Sequence, residues 1–279
     1  MSTTKSSSIR TPSLAIVIPT SFELAPFLRL WPELRQTSDH PWETYQLDTD
    51  KVTVSIIVSY IGPANAAAAT ERIIVTHQGV HHVEAILHCG AAGAINPSLM
   101  PGDIVLGKEV KTICSQEILA VRKSLLLSAS AIRYLKGGKP VHVDSLVGAP
   151  TLLAAAAKIG ADICTETAPW SGPGWPDSVP KRPSQISLGC IGSQDGWTKS
   201  PEELDFIATT FGVDSEDMES AYVAQIAAKH EVPFLAVRVI SNNERVATLA
   251  KKEILPAVEL AAERAALIIS KLVEQYDRL

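Results

Sequence analysis

The chain has 279 residues, of which 46% are hydrophobic, and its formal net charge at pH 7 is -5. A single α/β domain commonly reaches roughly 250 residues, so one large domain is favoured over two. An acidic chain offers no basic face to a phosphate backbone, which argues against nucleic acid and favours a small-molecule partner.

The polar start of the chain, residues 1–12, lacks the apolar stretch of a secretory signal and is expected to be disordered. No later apolar run is long enough to span a bilayer, so no membrane partner is expected. The four cysteines lie far apart without a CxxC pair, which is typical of thiols in a reducing compartment. These features predict a cytoplasmic protein with a single domain over residues 13–279.

Runs of β-branched and aliphatic residues predict six strands, at residues 14–18, 52–61, 83–89, 103–107, 185–192 and 232–241. Several runs lack alternation, as expected for strands covered on both faces. Helical patterns follow at residues 64–78, 151–159, 200–211 and 218–230, and the closing segment 251–279 predicts a long helix. Strands that alternate with helices imply right-handed crossovers. We therefore predict an α/β fold, a three-layer α/β/α sandwich around a mainly parallel, mixed central sheet.

Two segments do not fit this alternation. Residues 167–183 are crowded with Pro, Gly and Trp, and they predict a long loop. Long loops in compact domains are often functional or disordered, and two tryptophans favour ordering against a partner or substrate. The segment 111–148 has no assignment, although residues 118–135 have helical spacing.

Polar residues stand where ligands gather in an open parallel sheet, at the carboxyl ends of strands. Glu23 follows the first predicted strand, and a glycine-containing segment, residues 90–95, follows the third. Arg238 and Asn242 belong to the end of the last strand, while Glu219 stands at the start of a helix. We expect these side chains to meet at one face of the domain.

Each of these features also has an ordinary structural explanation. Glu23 fits a solvated helix residue, and Glu219 fits a helix cap or a partner of the helix dipole. Residues 88–94 fit a tight turn between a strand and a helix. Arg238 is harder to explain in this way, because a guanidinium in a buried strand needs a carboxylate or an anionic ligand. The seven histidines show no metal-ligand spacing and there is no phosphate-loop motif, so neither a metal site nor a cofactor is predicted.

Six segments together form a more specific pattern: IVIPTSFEL, YIGPANAAAA, HCGAAGAINPSLMPGDIVLG, GSQDGW, EDMESAYVAQIAAKHEVPF and VRVISN. In this order and spacing they resemble the nucleoside phosphorylase superfamily, and most closely the 5'-methylthioadenosine/S-adenosylhomocysteine nucleosidases, over about residues 14–275. The resemblance implies the nucleoside phosphorylase fold and a purine nucleosidase that hydrolyses an N-glycosidic bond.

The resemblance also implies a role for each site residue. Glu23 would act as the general base, Glu219 would bind the sugar and stabilise its positive charge, and Arg238 would organise the acidic pair and the attacking water. These roles agree with the chemistry, because carboxylates stabilise the charge that develops on the sugar and can take a proton from water. The implied substrate-binding residues are Ala91, Gly93, Trp197, Thr198, Met218 and Ser241. Among them, Trp197 would stack on the base, the backbone of Thr198 would read the base edge and Met218 would pack against the ribose.

Two positions depart from the family pattern. Asn242 stands where the nucleosidases have the aspartate that protonates the departing base, and an amide cannot perform this step. An asparagine can donate to one purine acceptor and accept from another group, so we predict that Asn242 reads the base and favours a 6-oxopurine over adenine. Ala91 replaces a frequent serine, which removes one hydroxyl contact near the sugar or the water.

Several alternatives remain at this point. The arginine-bearing phosphate segments of hexameric phosphorylases are replaced by IPTSFE and LHCGAA, which favours water over phosphate as the nucleophile. A purine nucleoside phosphorylase, a futalosine-hydrolase-like enzyme that acts on a hypoxanthine nucleoside, and a non-catalytic nucleoside-binding or storage protein are the alternatives.

A homodimer is implied by the family, with the apolar segment 124–132 as a candidate part of the interface. A helix buried within its own subunit explains that segment equally well.

Overall fold

The computed structural model describes residues 12–38, 40–77, 82–125, 131–166, 182–246 and 249–276. Its strands are β1 (Ser13–Ile18), β2 (Arg35–Ser38), β3 (Thr44–Asp48), β4 (Thr53–Val58), β5 (Val83–Ala94), β6 (Ile104–Thr112), β7 (Ile132–Lys136), β8 (Lys139–Val143), β9 (Leu146–Val147), β10 (Ile186–Ser193), β11 (Ser215–Asp217) and β12 (Phe234–Asn242). Its helices are α1 (Ser21–Leu30), α2 (Pro63–His77), α3 (Gln116–Ser124), α4 (Pro150–Glu166), α5 (Pro201–Phe211), α6 (Ser220–Lys229) and α7 (Lys251–Glu274).

One mixed sheet forms the centre of the domain, in the order β11-β10-β6-β12-β5-β1-β4-β3-β2, with β9 beside β6. Strand β5 pairs in parallel with β1 and β12, and β1 pairs in parallel with β4. Antiparallel pairs join β12 to β6, β3 to β4 and β2 to β3. Because β11 also pairs with β5, strands β5, β12, β6, β10 and β11 close into a ring at one end of the sheet.

Helices cover both faces of this sheet, which explains the apolar strands without alternation. In β1, Leu14, Ile16 and Ile18 pack in a core with α1, α4 and α7. Ala15 and Val17 point the other way, into a second core with α2 and α6. The predicted three-layer α/β/α architecture is therefore confirmed, and each predicted strand and helix matches an element of the structure.

Two local patterns do not correspond to the structure. The interpretation of residues 88–94 as a tight turn is wrong, since β5 continues to Ala94 because β12 pairs with it as far as Gly93 and β11 pairs with its other edge. Of residues 118–135, which have helical spacing, the described residues 118–124 belong to α3. The end of that segment is β7, which forms a hairpin with β8 through Gly137 and Gly138, both at positive φ.

Some predictions concern residues outside the described ranges. Residues 1–12 were predicted to be disordered, and of these the structure describes only Pro12. Residues 167–183 were predicted to form a loop, and of these it describes only residues 182 and 183. Within the candidate interface segment 124–132, residues 126–130 lie outside the description. Among the described helices, none has the combination of length and apolar character needed to cross a bilayer.

Candidate active site

A cavity of about 320 Å³ opens where β1, β5 and β12 end. Segments that follow β1 and that join β11 to α6 complete its wall. Nine of the ten predicted site residues line it: Glu23, Ala91, Gly93, Trp197, Met218, Glu219, Arg238, Ser241 and Asn242. Thr198 lies behind the wall and is 2% exposed. The strand ends thus bring together residues that are far apart in the sequence.

Glu23 is held by the N-terminus of α1 and by β5. Thr20 caps the helix, and its backbone amide and hydroxyl both donate to Oε2 of Glu23, at 3.0 and 2.8 Å. The backbone amide of Ala91 donates to Oε1 at 3.1 Å. Glu23 is buried, so the alternative of a solvated helix residue is wrong. Burial raises the pKa of Glu23, although Arg238 acts to lower it, and a raised pKa makes the carboxylate a better proton acceptor near neutral pH.

Gly90 permits this close approach of charged groups to β5. A Cβ atom at Gly90 would lie 2.1 Å from Oε1 of Glu23 and 2.7 Å from Nη1 of Arg238. A residue with a side chain cannot occupy this position without displacing both groups. The first glycine of HCGAAGA therefore reflects the packing of the site rather than a turn.

Arg238 lies fully buried in β12, and carboxylates surround its guanidinium group. Its Nε lies 2.7 Å from Oδ2 of Asp217, and its Nη2 lies 3.3 Å from Oε2 of Glu219. Nη1 donates to the backbone carbonyl of Ala91 at 3.3 Å. The backbone of Ala91 thus connects Glu23 to Arg238, although its side chain offers no hydroxyl group.

Asp217 is a member of this cluster that the sequence reasoning missed. Its Oδ1 accepts a hydrogen bond from the hydroxyl of Ser193 at 2.5 Å and from the backbone amides of Glu219 and Ser220, both at 3.1 Å. Burial acts to raise the pKa of Asp217, but Arg238 and the hydroxyl donors Ser193 and Ser220 are among the neighbours that together outweigh burial and hold that pKa below its ordinary value. Asp217 is therefore an ionised partner of Arg238 and also binds the first amides of α6.

His88 is the second missed member of the cluster. Burial and the charge of Arg238 lower the pKa of His88 to about 3, so its ring is neutral. Its Nδ1 lies 2.7 Å from the carbonyl of Val17 and its Nε2 contacts Nη2 of Arg238. Since Arg238 can only donate, the proton of the ring lies on Nδ1 and Nε2 accepts. The sequence did contain an indication of this role, because His88 is a polar residue inside the apolar run ILHC. Arg238 was identified by the same feature, a polar residue inside an apolar strand.

Glu219 occupies the N-cap position of α6, but its side chain does not cap the helix. Its Oε1 accepts from the backbone amide of Gly62 at 2.9 Å, and Oε2 accepts from Arg238. Burial raises the pKa of Glu219 to about 7, against the lowering effect of Arg238. The interpretation of Glu219 as a helix cap is therefore wrong, because Asp217 binds the helix amides and leaves Glu219 facing the cavity.

His88, Asp217 and Glu219 also form a group that could hold a metal ion, with ligand atoms within 4.8 Å of one another. Arg238 contacts all three side chains, so its guanidinium group occupies the position that a cation would take. We call these four residues and Glu23 the ionic end of the cavity.

Asn242 belongs to a different part of the cavity. Its Oδ1 accepts from the hydroxyl of Ser241 and its Nδ2 donates to Glu244, both at 2.9 Å. An amide group has two N–H donors and two carbonyl lone pairs, and these bonds use one of each. Gly93 pairs with Asn242 in the sheet register and with Glu216 on its other side. We call Gly93, Glu216, Ser241 and Asn242 the polar end of the cavity.

The aromatic wall and Thr198 are arranged around Glu216, a lining residue that the sequence reasoning missed. Trp197 is 41% exposed, and Nζ of Lys199 lies 4.3 Å from its ring centroid. The backbone amide of Thr198 donates to Glu216 at 2.9 Å. The amide that the resemblance assigned to the base edge is thus bound by a carboxylate.

Comparison with known proteins assigns the family. The sequence profile of the phosphorylase superfamily matches residues 13–274. A curated relative, the 5'-methylthioadenosine/S-adenosylhomocysteine nucleosidase of Anoxybacillus flavithermus, is 27% identical over 231 residues, which cover 82% of each chain.

Solved structures show the same fold. An aspartate-to-asparagine mutant of the Helicobacter pylori nucleosidase, with 5'-methylthioadenosine in its active site, superimposes with a TM-score of 0.74 at 17% identity and covers 95% of this chain and 100% of that chain. The native futalosine hydrolase of the same organism has a TM-score of 0.74 at 16% identity, with 95% and 98% covered. Since the family profile spans nearly the whole chain and the fold is shared, this protein is a member of the phosphorylase superfamily.

Proposed function

We propose that this protein is a purine nucleosidase that uses water to cleave the N-glycosidic bond of a purine nucleoside. The observation that carries the proposal is the convergence of two buried carboxylates, Glu23 and Glu219, with Arg238 on one cavity. The nucleosidase names of the curated relatives support the same reaction class.

Glu219 is the residue that stabilises the sugar. Cleavage of the bond between C1' and the purine nitrogen leaves positive charge on the sugar ring, and a fixed carboxylate nearby lowers the energy of that state. Gly62 and Arg238 hold the carboxylate of Glu219 from two sides, so it needs no rearrangement during the reaction. Its remaining lone pairs accept hydrogen bonds from the ribose hydroxyls, and Met218 packs against the ribose.

Glu23 is the general base. Water attacks C1', and one of its protons passes to the carboxylate of Glu23 as the new C–O bond forms. The bond between C1' and the purine nitrogen breaks, its electron pair leaves with the purine, and the purine takes up a proton from solvent water. The raised pKa of Glu23 suits this transfer at neutral pH. The amides of Thr20 and Ala91 fix the orientation of the carboxylate while the proton moves.

The charges of the ionic end favour water over phosphate. Among the described residues that line the cavity, Arg238 is the one cation, and its guanidinium group is already bound to Asp217 and Glu219. A phosphate dianion would therefore approach Glu23 and Glu219 without a free positive charge. Like charges in a partly buried site repel strongly, which disfavours phosphorolysis.

Trp197 stacks on the base and Asn242 reads its edge. The donor and acceptor of Asn242 that its bonds to Glu244 and Ser241 do not use would bind O6 and protonated N7 of a 6-oxopurine. A futalosine-hydrolase-like activity is the second candidate, because Asn242 suits the hypoxanthine of futalosine.

A homodimer and a cytoplasmic location complete the proposal. Ile118, Val121 and Leu125 on and after α3 are 50%, 58% and 63% exposed, and they form an apolar surface that a second copy could cover. Four free cysteines fit a reducing compartment. A monomer in sedimentation at micromolar concentration would contradict the dimer, and secretion of the protein from the cells that make it would contradict the location.

The test is release of free base from inosine, futalosine and 5'-methylthioadenosine, followed by chromatography in buffers with and without phosphate. We expect free purine and free sugar in both buffers. Strict dependence on phosphate would contradict hydrolysis. Calorimetric binding of a nucleoside without any release of base would instead identify a non-catalytic binding protein.

A further inference from the structure

A fourth buried carboxylate, besides Glu23, Asp217 and Glu219, borders the cavity and has no part in the proposed bond cleavage. Glu216, in β11, is 5% exposed. The amide of Thr198 donates to its Oε1 at 2.9 Å, and the hydroxyl of Thr198 and the amide of Gln194 donate to its Oε2 at 2.7 and 3.2 Å. Gln194 also donates to the hydroxyl of Thr198 at 2.8 Å, which directs the hydroxyl proton to Glu216. Three donors thus hold Glu216 in one orientation as a hydrogen-bond acceptor.

The sheet register brings Glu216 next to Asn242. Gly93 pairs with Glu216 of β11 on one side and with Asn242 of β12 on the other. A Cβ atom at Gly93 would lie 3.6 Å from Oε1 of Glu216 and 3.6 Å from Nδ2 of Asn242. An acceptor and a donor therefore flank the same glycine, where the missing side chain leaves room for a flat ring.

We propose that Glu216 is a specificity-determining residue that accepts the N1–H of a 6-oxopurine, as the partner of Asn242. In a 6-oxopurine the N1–H donor lies directly beside the O6 acceptor. Nδ2 of Asn242 donates to O6, and Oε1 of Glu216 has a second lone pair for N1–H. This inference rests on the proposed function and adds the class of base to it.

Adenine presents the opposite pattern at the same edge. Its N1 is an acceptor and would face the carboxylate of Glu216, while its amino group would face the N–H of Asn242. Both pairs are mismatched, and sites that bind a polar edge discriminate strongly against an analogue with the wrong pattern. We expect a preference for hypoxanthine over adenine nucleosides of about tenfold to hundredfold.

The surroundings of Glu216 also connect this preference to pH. Burial raises the pKa of Glu216 to about 7, against the donors Thr198 and Gln194, and Glu203 of α5 adds to the rise. Asn242 is the neutral group that faces it from β12. The ionised carboxylate accepts N1–H more strongly than the protonated carboxyl group, so the preference for the 6-oxopurine should strengthen as the pH rises through about 7.

The test compares kcat/KM for inosine and adenosine in the wild type, Glu216→Ala and Glu216→Gln. Alanine removes the acceptor and frees the amide of Thr198 to donate to N1 of adenine, so the ratio should fall by about tenfold to hundredfold. Glutamine keeps an oxygen acceptor without the charge, so we expect an intermediate ratio without the pH dependence. Glu203→Gln is the matched control, because it removes a nearby carboxylate that does not line the cavity, and it should keep the wild-type ratio.

A chemical probe tests the same contact without a loss of function. 1-Methylinosine has no N1–H and carries a methyl group in its place, so the wild type should discriminate against it and Glu216→Ala should accept it. An unchanged inosine-to-adenosine ratio in Glu216→Ala, or equal use of inosine and 1-methylinosine by the wild type, would overturn the proposal. A change in Glu203→Gln as large as that in Glu216→Ala would also overturn it, since the effect would then be one of distant charge.

Failure of the proposed function has a different signature. If the wild type hydrolyses no nucleoside, calorimetry with free hypoxanthine and free adenine still measures the contact. Tighter binding of hypoxanthine, lost in Glu216→Ala, would support the role of Glu216 in a protein that is not a hydrolase. Equal affinity for the two bases in the wild type would contradict it.

Discussion

The two ends of the cavity lie along the same strand but are built in different ways. At Gly90 and Ala91 of β5, the ionic end balances its charges with protein groups, since Arg238 contacts carboxylates and a neutral histidine. The polar end lies at Gly93, about 10 Å further along the strand. There Asn242 and Glu216 keep hydrogen-bonding capacity for a ligand. The ionic end is therefore already balanced by protein groups, whereas the polar end keeps a donor and an acceptor that a ligand could use.

The largest effect on activity is expected at the ionic end, for Glu23→Gln. Loss of a general base typically costs about 100-fold to 10,000-fold in rate, while the neutral amide preserves the shape of the site. Single-turnover release of base should fall by this amount, with binding of the nucleoside changed only a few-fold. Glu33→Gln, at an exposed position beyond α1, is the matched control and should keep wild-type activity. A loss of less than tenfold in Glu23→Gln would exclude Glu23 as the base.

Stability should respond most to Arg238→Met, which leaves Asp217 and Glu219 without their buried partner. Removal of one member of a buried ion pair costs about 3–5 kcal/mol. Arg29→Met removes an arginine that pairs with Glu263 at 2.8 Å on the surface, and that pair should contribute less than about 1 kcal/mol. Urea unfolding of both variants measures the difference. Equal stability of the two variants would show that the ionic end does not depend on Arg238 for its charge balance.

At the polar end, Asn242→Asp should change the base preference. An aspartate can supply a proton to the departing base and accept from the amino group of adenine, so activity on adenine nucleosides should rise. The ratio of kcat/KM for hypoxanthine over adenine nucleosides should fall by about tenfold to hundredfold. An unchanged ratio would mean that Asn242 does not read the base and that its alignment with the family aspartate is wrong.

The smallest expected effect is the change in the stability of the folded protein with pH, to which both ends of the cavity contribute. Burial raises the pKa of Glu219, at the ionic end, and of Glu216, at the polar end, to about 7 each, from an ordinary value of 4.5. The folded state therefore holds these protons more tightly than the unfolded state, and stability falls as the pH rises from about 4.5 through about 7. We expect a loss of at most about 3 kcal/mol per group.

Urea unfolding across this pH range, in Glu219→Gln and in Glu216→Gln, separates the two contributions. Each variant should lose part of the dependence, and Glu23, whose pKa burial also raises, should retain its own part in both variants. A wild-type slope in both variants would exclude these carboxylates as its source. Asp217 does not confuse the result, because its lowered pKa puts its own titration below this range.

The sequence by itself determined the layered fold and nine of the residues that line the cavity. Apolar runs without alternation require cover on both faces, and β1 has that cover from two helical layers. Arg238 could be recognised as a site residue because a charge inside an apolar strand needs a partner wherever the strand lies. The family prediction is also confirmed. It could be made from the sequence because the motifs that carry it are local runs of residues.

Only the tertiary structure decided which charges pair and which carboxylate faces the polar end of the cavity. Asp217, Glu219 and Glu216 lie in one acidic run, and nothing in their order separates a partner of Arg238 from a group that faces the cavity. The pairing of β11 with β5 directs Glu216 toward Gly93, and the start of α6 turns Asp217 toward its own amides and Arg238. Hydrogen bonds in the site join residues as far as 157 positions apart, between Gly62 and Glu219. Local patterns record the polarity of a residue, whereas the partner of a buried charge depends on strand register and burial, which arise only when the sheet closes.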